Sequence, residues 1–88
     1  MITKEVIVNN QVGLHARPAT YFIQKANEFR SLIWVIRDDR QVNAKSLLGV
    51  LSLGVTKGSS ITLKADGIDE QVAMDSLCEL IESDFAVK

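Results

Sequence analysis

The residue types best suited to chemistry in this sequence lie together in residues 13–20, Gly-Leu-His-Ala-Arg-Pro-Ala-Thr. A histidine imidazole is largely neutral near pH 7 and presents a nucleophilic ring nitrogen. Two residues after His15, Arg17 offers a planar guanidinium that stays charged and can bind an oxyanion through two donors. Gly13 permits backbone conformations that bring this loop close to such an anion. A phosphoryl group placed on this imidazole would meet these donors, whereas a lone histidine near a helix start is more often a surface or capping residue.

A helix predicted from Ala16 to about Asn27 would position these side chains, because its apolar residues repeat at i, i+3, i+4 and i+7. The first N–H groups of a helix lack intrahelical acceptors and, with the helix dipole, form an anion site. Pro18 suits the first turn of a helix, but the sequence does not decide which residue is the first of the helix. Pro18 in the first position makes Arg17 the N-cap, whereas a start at His15 puts a pre-proline residue in the disfavoured helical region. The predicted apolar face comprises Ala19, Phe22, Ile23 and Ala26.

Strands are predicted from β-branched and alternating runs. Residues 2–8 and 32–36 read as strands, the second a continuous apolar run consistent with cover on much of both faces. Asp38 and Asp39 form a predicted turn into a short strand at 41–43. The alternation of apolar and polar residues over 61–66 predicts a half-buried strand.

Two further helices complete the predicted order β-α-β-β-α-β-α. Ser46 is the expected N-cap of a short helix that ends near Gly54 or Gly58. Asp69 is expected to cap the last helix, and Glu70 suits its positive end. Short connections and this mixture of elements predict one α+β domain over residues 1–88, with helices on one face of a mainly antiparallel sheet. The apolar face of the last helix comprises Ala73, Leu77, Leu80 and Ile81.

Composition excludes several classes of protein. Ten Lys and Arg residues balance eleven Asp and Glu residues, for a net charge of −1, which argues against a nucleic-acid surface. The only cysteine, Cys78, excludes an intrachain disulfide and a multi-cysteine metal site, and no bound metal is expected. No signal-peptide pattern or run of roughly 18 apolar residues occurs, so we expect a cytoplasmic protein that does not bind membranes directly.

Two segments carry a resemblance to a known family. Residues 13–19 resemble the active-site motif of HPr, the histidine-containing phosphocarrier family of the bacterial phosphoenolpyruvate-dependent sugar phosphotransferase system. Residues 42–53, Val-Asn-Ala-Lys-Ser-Leu-Leu-Gly-Val-Leu-Ser-Leu, resemble its regulatory-serine motif. The likeness extends over nearly the whole chain in length and element order. It implies an open-faced β-sandwich, with a four-stranded antiparallel sheet in the order 1-4-2-3 under three helices.

The resemblance also implies a mechanism. His15 would accept a phosphoryl group on Nδ1 from enzyme I, which is charged by phosphoenolpyruvate with Mg²⁺, and donate it to IIA domains of sugar permeases. Arg17 and the backbone N–H of Ala16 would contact the phosphoryl group. The chain would hold no cofactor and act as a phosphotransfer component rather than as a self-sufficient enzyme. Both partners would dock on an exposed patch formed by Thr20, Leu47, Leu48 and Leu51.

Ser46 matches the serine that HPr kinase/phosphorylase modifies in Gram-positive relatives, where the phosphoserine also binds a catabolite-control repressor in carbon catabolite repression. A phosphate there adds roughly −2 charge beside an apolar patch and predicts weaker docking of acidic partners. A plain N-cap role explains the same serine, and the two roles are compatible.

Three residues are interpreted apart from these motifs. Val12 departs from relatives that often carry a small polar residue at this position, so its side chain cannot hydrogen-bond to the phosphate. Trp34 is assigned to the sheet core because of its apolar neighbours. Cys78 is expected to pack on the inner face of the last helix.

Three alternative functions remain open. A regulatory HPr paralogue or nitrogen-branch carrier would keep the fold and act through protein contacts; His15 argues against the regulatory subtype that lacks this histidine, and the Ser46 motif favours the sugar branch. A small nucleic-acid-binding domain is disfavoured by the negative net charge. An independent enzyme is disfavoured because the motif offers His15 no second acid or base.

Overall fold

The computed structural model describes residues 1–85 and has the predicted element order. Most ends of the predicted elements shift by one or two residues, as is usual for helix and strand boundaries, and α2 ends at Ser52, before both predicted glycines. None of the helices described in residues 1–85 is long and apolar enough to cross a membrane. The elements are β1 (Ile2–Val8), α1 (Arg17–Ala26), β2 (Leu32–Arg37), β3 (Arg40–Asn43), α2 (Leu47–Ser52), β4 (Ser59–Asp66) and α3 (Glu70–Glu82).

The four strands form one antiparallel sheet in the order β1-β4-β2-β3, which confirms the expected topology. Strand β4 lies between β1 and β2, with Ile61 opposite Val6 and Leu63 opposite Val35. Because Val8 lies opposite Ser59, the end of β1 and the start of β4 lie at the same end of the sheet. The chain leaves this end for α1 and returns to it before β4. The loops at this end meet in space although they are distant in sequence.

Alternate strand residues face the helices and form the core. The alternation predicted for β4 is confirmed, because Ile61, Leu63 and Ala65 are buried and their neighbours are not. The helices contribute Phe22 of α1 and Leu77 of α3, which are both almost fully buried. Cys78 is buried beside Leu77, as predicted, and burial raises the pKa of its thiol.

The opposite face of the sheet is open, and here two expectations are wrong. Ile33 and Val35 of β2 are buried, but Leu32 is 60% exposed, so β2 is not covered on both faces. Trp34 is not in the core: it is partly exposed on the open face, with Lys64 Nζ 4.9 Å from the ring centroid. Among residues 1–85 the helices cover one face of the sheet only. In a continuous apolar run, the sequence does not indicate which residues point to the uncovered face.

The start of α3 also differs from its prediction. Asp69 occupies the N-cap position, but its side chain makes no capping hydrogen bond. Its carboxylate instead accepts from the backbone N–H of Arg30 (2.8 Å), the backbone N–H of Ser31 (2.9 Å) and the Ser31 hydroxyl. The carboxylate of Glu70 accepts from the N–H of Gly67 (3.1 Å). Asp69 thus ties α3 to the loop before β2, a connection with no local signal in the sequence.

These bonds predict a pH-dependent loss of stability on replacing Asp69 with asparagine. The Ser31 hydroxyl and then the Arg30 N–H stabilise the charged form and lower the pKa of Asp69 from 3.8 to about 2. A carboxylate with a depressed folded pKa stabilises the fold above its unfolded pKa, and this contribution disappears as the pH falls through the folded value. We expect Asp69→Asn to lower the free energy of unfolding at pH 7, with the difference vanishing between about pH 4 and pH 2.

Urea denaturation of both proteins across this pH range tests the prediction. The exposed Asp39 in the β2–β3 turn, whose side chain accepts no hydrogen bond within residues 1–85, supplies the matched control: Asp39→Asn should change the free energy of unfolding little at pH 7. A gap between Asp69→Asn and wild type that persisted unchanged at pH 2 would contradict the proposed cause.

Candidate functional site

The loop between β1 and α1 is anchored to the segment that follows α2. The N–H of Leu14 donates to the carbonyl oxygen of Val55 at 3.0 Å, and the Leu14 side chain is buried. The preceding Gly13 has φ +60°, and a Cβ built on it would lie 2.2 Å from that same Val55 oxygen. Only glycine therefore fits this close approach, which sets the path of the chain into His15.

His15 directly precedes the first residues of α1 and is exposed. Its backbone N–H donates to Gly13 O at 3.1 Å. Ala16 follows as the N-cap with φ 55° and ψ −117°, and the helix begins at Arg17 with Pro18 in its first turn. The helix start therefore matches neither predicted register: it lies one residue before Pro18 and two residues after His15. Ala16 holds a backbone conformation that alanine rarely adopts, which costs on the order of 1–3 kcal/mol.

The helix start is open to solvent and rich in donors. Ala16 and Arg17 are exposed like His15, and the first N–H groups of α1 have no intrahelical acceptors. Within residues 1–85 the Arg17 guanidinium makes no hydrogen bond or ion pair. One turn on, the exposed Thr20 donates through both its N–H and its hydroxyl to Ala16 O, at 3.2 and 3.3 Å. An anion bound here would meet backbone donors and a free cation.

The patch predicted to dock partners, called the docking patch below, consists of Thr20 on α1 and Leu47, Leu48 and Leu51 on α2. Helices α1 and α2 are neighbours in the fold, and Leu48 is 81% exposed. Leu51 is half-buried and lines a groove of about 290 Å³ beside His15. Of the four patch residues, the structure places Leu51 in the same groove as His15. The groove is lined by Val12, Leu14, His15, Leu51, Gly54, Val55 and Thr56.

Both ends of α2 are held by side-chain hydrogen bonds. At its start the Ser46 hydroxyl accepts from the N–H of Gly49 (3.2 Å), which confirms the predicted N-cap. Beyond its end Arg37 donates to the carbonyls of Leu53 and Gly54, both at 2.7 Å. Arg40 likewise donates to the carbonyl of residue 52 at 2.6 Å. The helix that carries most of the docking patch is therefore fixed by the β2–β3 hairpin.

Sequence reasoning missed four residues that shape the site: Asn10, Arg37, Arg40 and Val55. The hydrogen bonds of Arg37, Arg40 and Val55 join distant parts of the chain, and no spacing indicates them. Asn10 did carry a signal, because an asparagine a few residues before a glycine commonly hydrogen-bonds to the backbone of its own loop.

The fold and the site define an open-faced α+β sandwich with an exposed histidine directly before a helix start. Residues 2–83 match the family described as "PTS HPr component phosphorylation site". The HPr-like protein Crh of Halalkalibacterium halodurans is 48% identical over 96% of this chain and 100% of its own length. The phosphocarrier protein HPr of Neisseria meningitidis serogroup A is 41% identical over 97% and 96%. The crystal structure of HPr-C-His from Thermoanaerobacter tengcongensis is 46% identical over 100% and 99%, with a TM-score of 0.97.

These similarities span nearly the full length of the chain and of each relative. The chain belongs to the HPr family of phosphocarrier proteins.

Proposed function

We propose that this chain is a cytoplasmic phosphocarrier that accepts a phosphoryl group from phospho-enzyme I on Nδ1 of His15 and donates it to IIA domains of sugar permeases. The observation that supports it best is the position of His15, exposed and directly before the start of α1. A large partner can reach this imidazole without any rearrangement of the core. The chain supplies the acceptor and its partners supply the rest of the chemistry.

The transfer is a displacement at phosphorus. The lone pair of the His15 ring nitrogen forms the new N–P bond, while the bond between phosphorus and the donor group breaks and its electron pair leaves with the donor. The other ring nitrogen keeps its proton until solvent removes it. Because the transition state is mostly a problem of positioning and charge, fixed donors around the phosphoryl oxygens are the main contribution of the protein.

Arg17 and the N–H of Ala16 supply those donors in this proposal. Arg17 makes no competing ion pair within residues 1–85, so its guanidinium is free to pair with phosphoryl oxygens. The dipole of the ten-residue α1 adds favourable potential at the same end. Val12 offers no polar side-chain atom to this set, so the backbone carries the part that a polar residue would otherwise share.

The docking patch would bind both partners. An exposed leucine such as Leu48 gains free energy when a partner covers it, and a central apolar anchor commonly dominates an interface. Because the patch borders the His15 groove through Leu51, a partner seated there would place its own phosphoryl site over the imidazole.

The deciding experiment is incubation with enzyme I, Mg²⁺ and phosphoenolpyruvate, followed by intact mass measurement and acid treatment. We expect a gain of one phosphoryl group that acid removes, since a phosphorus–nitrogen bond on imidazole is acid-labile. A control carrier confirms that enzyme I is active. No mass gain under those conditions would refute the carrier function.

We further propose that phosphorylation of Ser46 weakens docking. The serine caps α2 beside Leu47 and Leu48, so a phosphate would gain from the helix start and leave the helix folded. Its roughly −2 charge would then lie next to the docking patch and repel acidic partner surfaces.

Ser46→Asp is expected to raise the Kd for enzyme I about fivefold, because about 1 kcal/mol is a reasonable cost for one added like charge near a solvated interface. Stability should hardly change, since aspartate is as good an N-cap as serine. The matched control is Ser46→Asn, which caps equally well without charge and should bind like wild type. Titration calorimetry measures all three; equal affinities for the Asp and Asn variants would remove the charge argument.

A regulatory role through protein contacts is the second candidate function, favoured by the 48% identity to the Crh protein of Halalkalibacterium halodurans. In that case Ser46 would be the modified residue and a catabolite-control repressor a partner. The incubation with enzyme I separates this regulatory candidate from a carrier, because only a carrier is expected to gain an acid-labile phosphoryl group.

A carrier of the nitrogen branch would gain the same phosphoryl group as a carrier of the sugar branch. Competition between IIA domains of the two branches for the phosphorylated chain would distinguish these two carriers.

A further inference from the structure

We propose that Asn10 is a positioning residue that fixes the peptide group preceding the phosphoryl acceptor. This inference rests on the proposed function of His15. It concerns how the loop after β1 holds the acceptor in place before any partner arrives.

Asn10 makes two hydrogen bonds to the backbone of Gly13, one through its side chain and one through its own carbonyl group. Its side-chain Nδ2 donates to Gly13 O at 2.7 Å, and its own backbone carbonyl accepts from the N–H of Gly13 at 3.1 Å. Because Asn10 is only 8% exposed, water competes weakly for the groups that form these two hydrogen bonds. A glycine at φ +60° has wide backbone freedom, which these two bonds restrict.

The peptide group between Gly13 and Leu14 is consequently held at both ends. Its carbonyl oxygen accepts from Asn10 Nδ2, and its N–H donates to Val55 O at 3.0 Å. The same carbonyl oxygen also accepts from the N–H of His15 at 3.1 Å. Rotation of this peptide group would move the His15 backbone, so the Asn10 amide controls the direction in which the imidazole is presented.

The other, oxygen-bearing half of the Asn10 amide takes no part in these hydrogen bonds. Its Oδ1 is buried and has no hydrogen-bond partner within residues 1–85. An unpaired buried oxygen destabilises a fold, whereas an apolar side chain of similar shape would not. Removing the amide would lose one hydrogen bond to Gly13 O, which stays paired with the His15 N–H, and would also remove the unpaired oxygen, so the net effect on stability is expected to be small.

Asn10→Leu is therefore expected to be about as stable as wild type and yet slower in phosphoryl acceptance. We expect kcat with phospho-enzyme I to fall about tenfold, the factor that corresponds to about 1.4 kcal/mol, because misorientation affects the transition state. KM should stay unchanged, since the docking patch is untouched. The control is Gln11→Leu, the same change of an amide to an isobutyl group at the exposed neighbour, which should behave as wild type.

Amide hydrogen exchange at His15 supplies a readout independent of phosphoryl transfer. Loss of the Asn10 donor should speed exchange of this N–H about tenfold or more without global destabilisation. Asn10→Asp, which keeps the side-chain shape but faces Gly13 O with an oxygen, should show the same acceleration and covers the case in which Asn10→Leu fails to fold.

Unchanged kcat and unchanged His15 exchange in a folded Asn10 variant would overturn the proposal, as would a loss of stability with normal kcat. A wild-type protein that accepts no phosphoryl group would refute the proposed function instead. The exchange result would then still decide whether Asn10 positions His15.

Discussion

Replacing His15 with alanine is expected to abolish phosphoryl acceptance from phospho-enzyme I completely. The imidazole supplies the nucleophilic nitrogen, and no other histidine occurs in the sequence to replace it. The side chain is exposed and makes no hydrogen bond within residues 1–85, so the free energy of unfolding should stay within about 0.5 kcal/mol of wild type. Intact mass after incubation with enzyme I, Mg²⁺ and phosphoenolpyruvate measures the loss.

Two controls keep this result interpretable. Urea denaturation shows that His15→Ala is folded, and binding to unphosphorylated enzyme I shows that the docking patch is intact. An acid-labile mass gain of one phosphoryl group in the folded variant would place the acceptor elsewhere and refute the mechanism.

Gly13→Ala is expected to be the most destabilising single substitution at the site. An alanine Cβ would lie 2.2 Å from Val55 O and 2.5 Å from the Cα of Thr56, both backbone atoms that cannot move aside cheaply. The left-handed backbone costs about 1–2 kcal/mol for alanine and forced overpacking about 1–3 kcal/mol more. A loss of roughly 2–5 kcal/mol is large against the 4–13 kcal/mol, approximately, that a chain of this size holds.

Gly54→Ala is the matched control for the backbone conformation alone. Gly54 has φ +62° against +60° for Gly13, but the nearest atom to its added Cβ is the flexible end of Arg37 at 3.6 Å. The control should lose only about 1–2 kcal/mol. Chemical denaturation of both variants measures the difference. If Gly13→Ala lost no more than Gly54→Ala, the close approach to Val55 would not constrain the loop.

Much of the fold was predictable because short-range sequence patterns determine many of its helices and strands. Alternation along β4, the helical spacing of α1 and the Ser46 cap are short-range patterns, and each is confirmed. The strand order came from the family resemblance, since no local pattern shows that β4 lies between β1 and β2.

The two wrong predictions for the fold, at Asp69 and Trp34, share one cause, because in both cases long-range packing or hydrogen bonding decided the outcome. The carboxylate of Asp69 is recruited by Arg30 and Ser31, nearly forty residues earlier, instead of capping its own helix. Trp34 was misplaced because nothing in the sequence tells that helices cover only one face of β2. At the site, the residue types were predictable, but the left-handed Ala16 was not, because alanine gives no signal for that conformation.

The place of Trp34 on the open face also makes it a natural optical reporter. It is the only tryptophan in the chain, and it lies on β2 opposite Lys64 of β4 and Asn43 of β3. Its emission should therefore change when the sheet comes apart and stay constant when a partner docks on the helical side. Trp34 fluorescence can therefore report unfolding while a partner is bound, without an attached dye or a substituted residue.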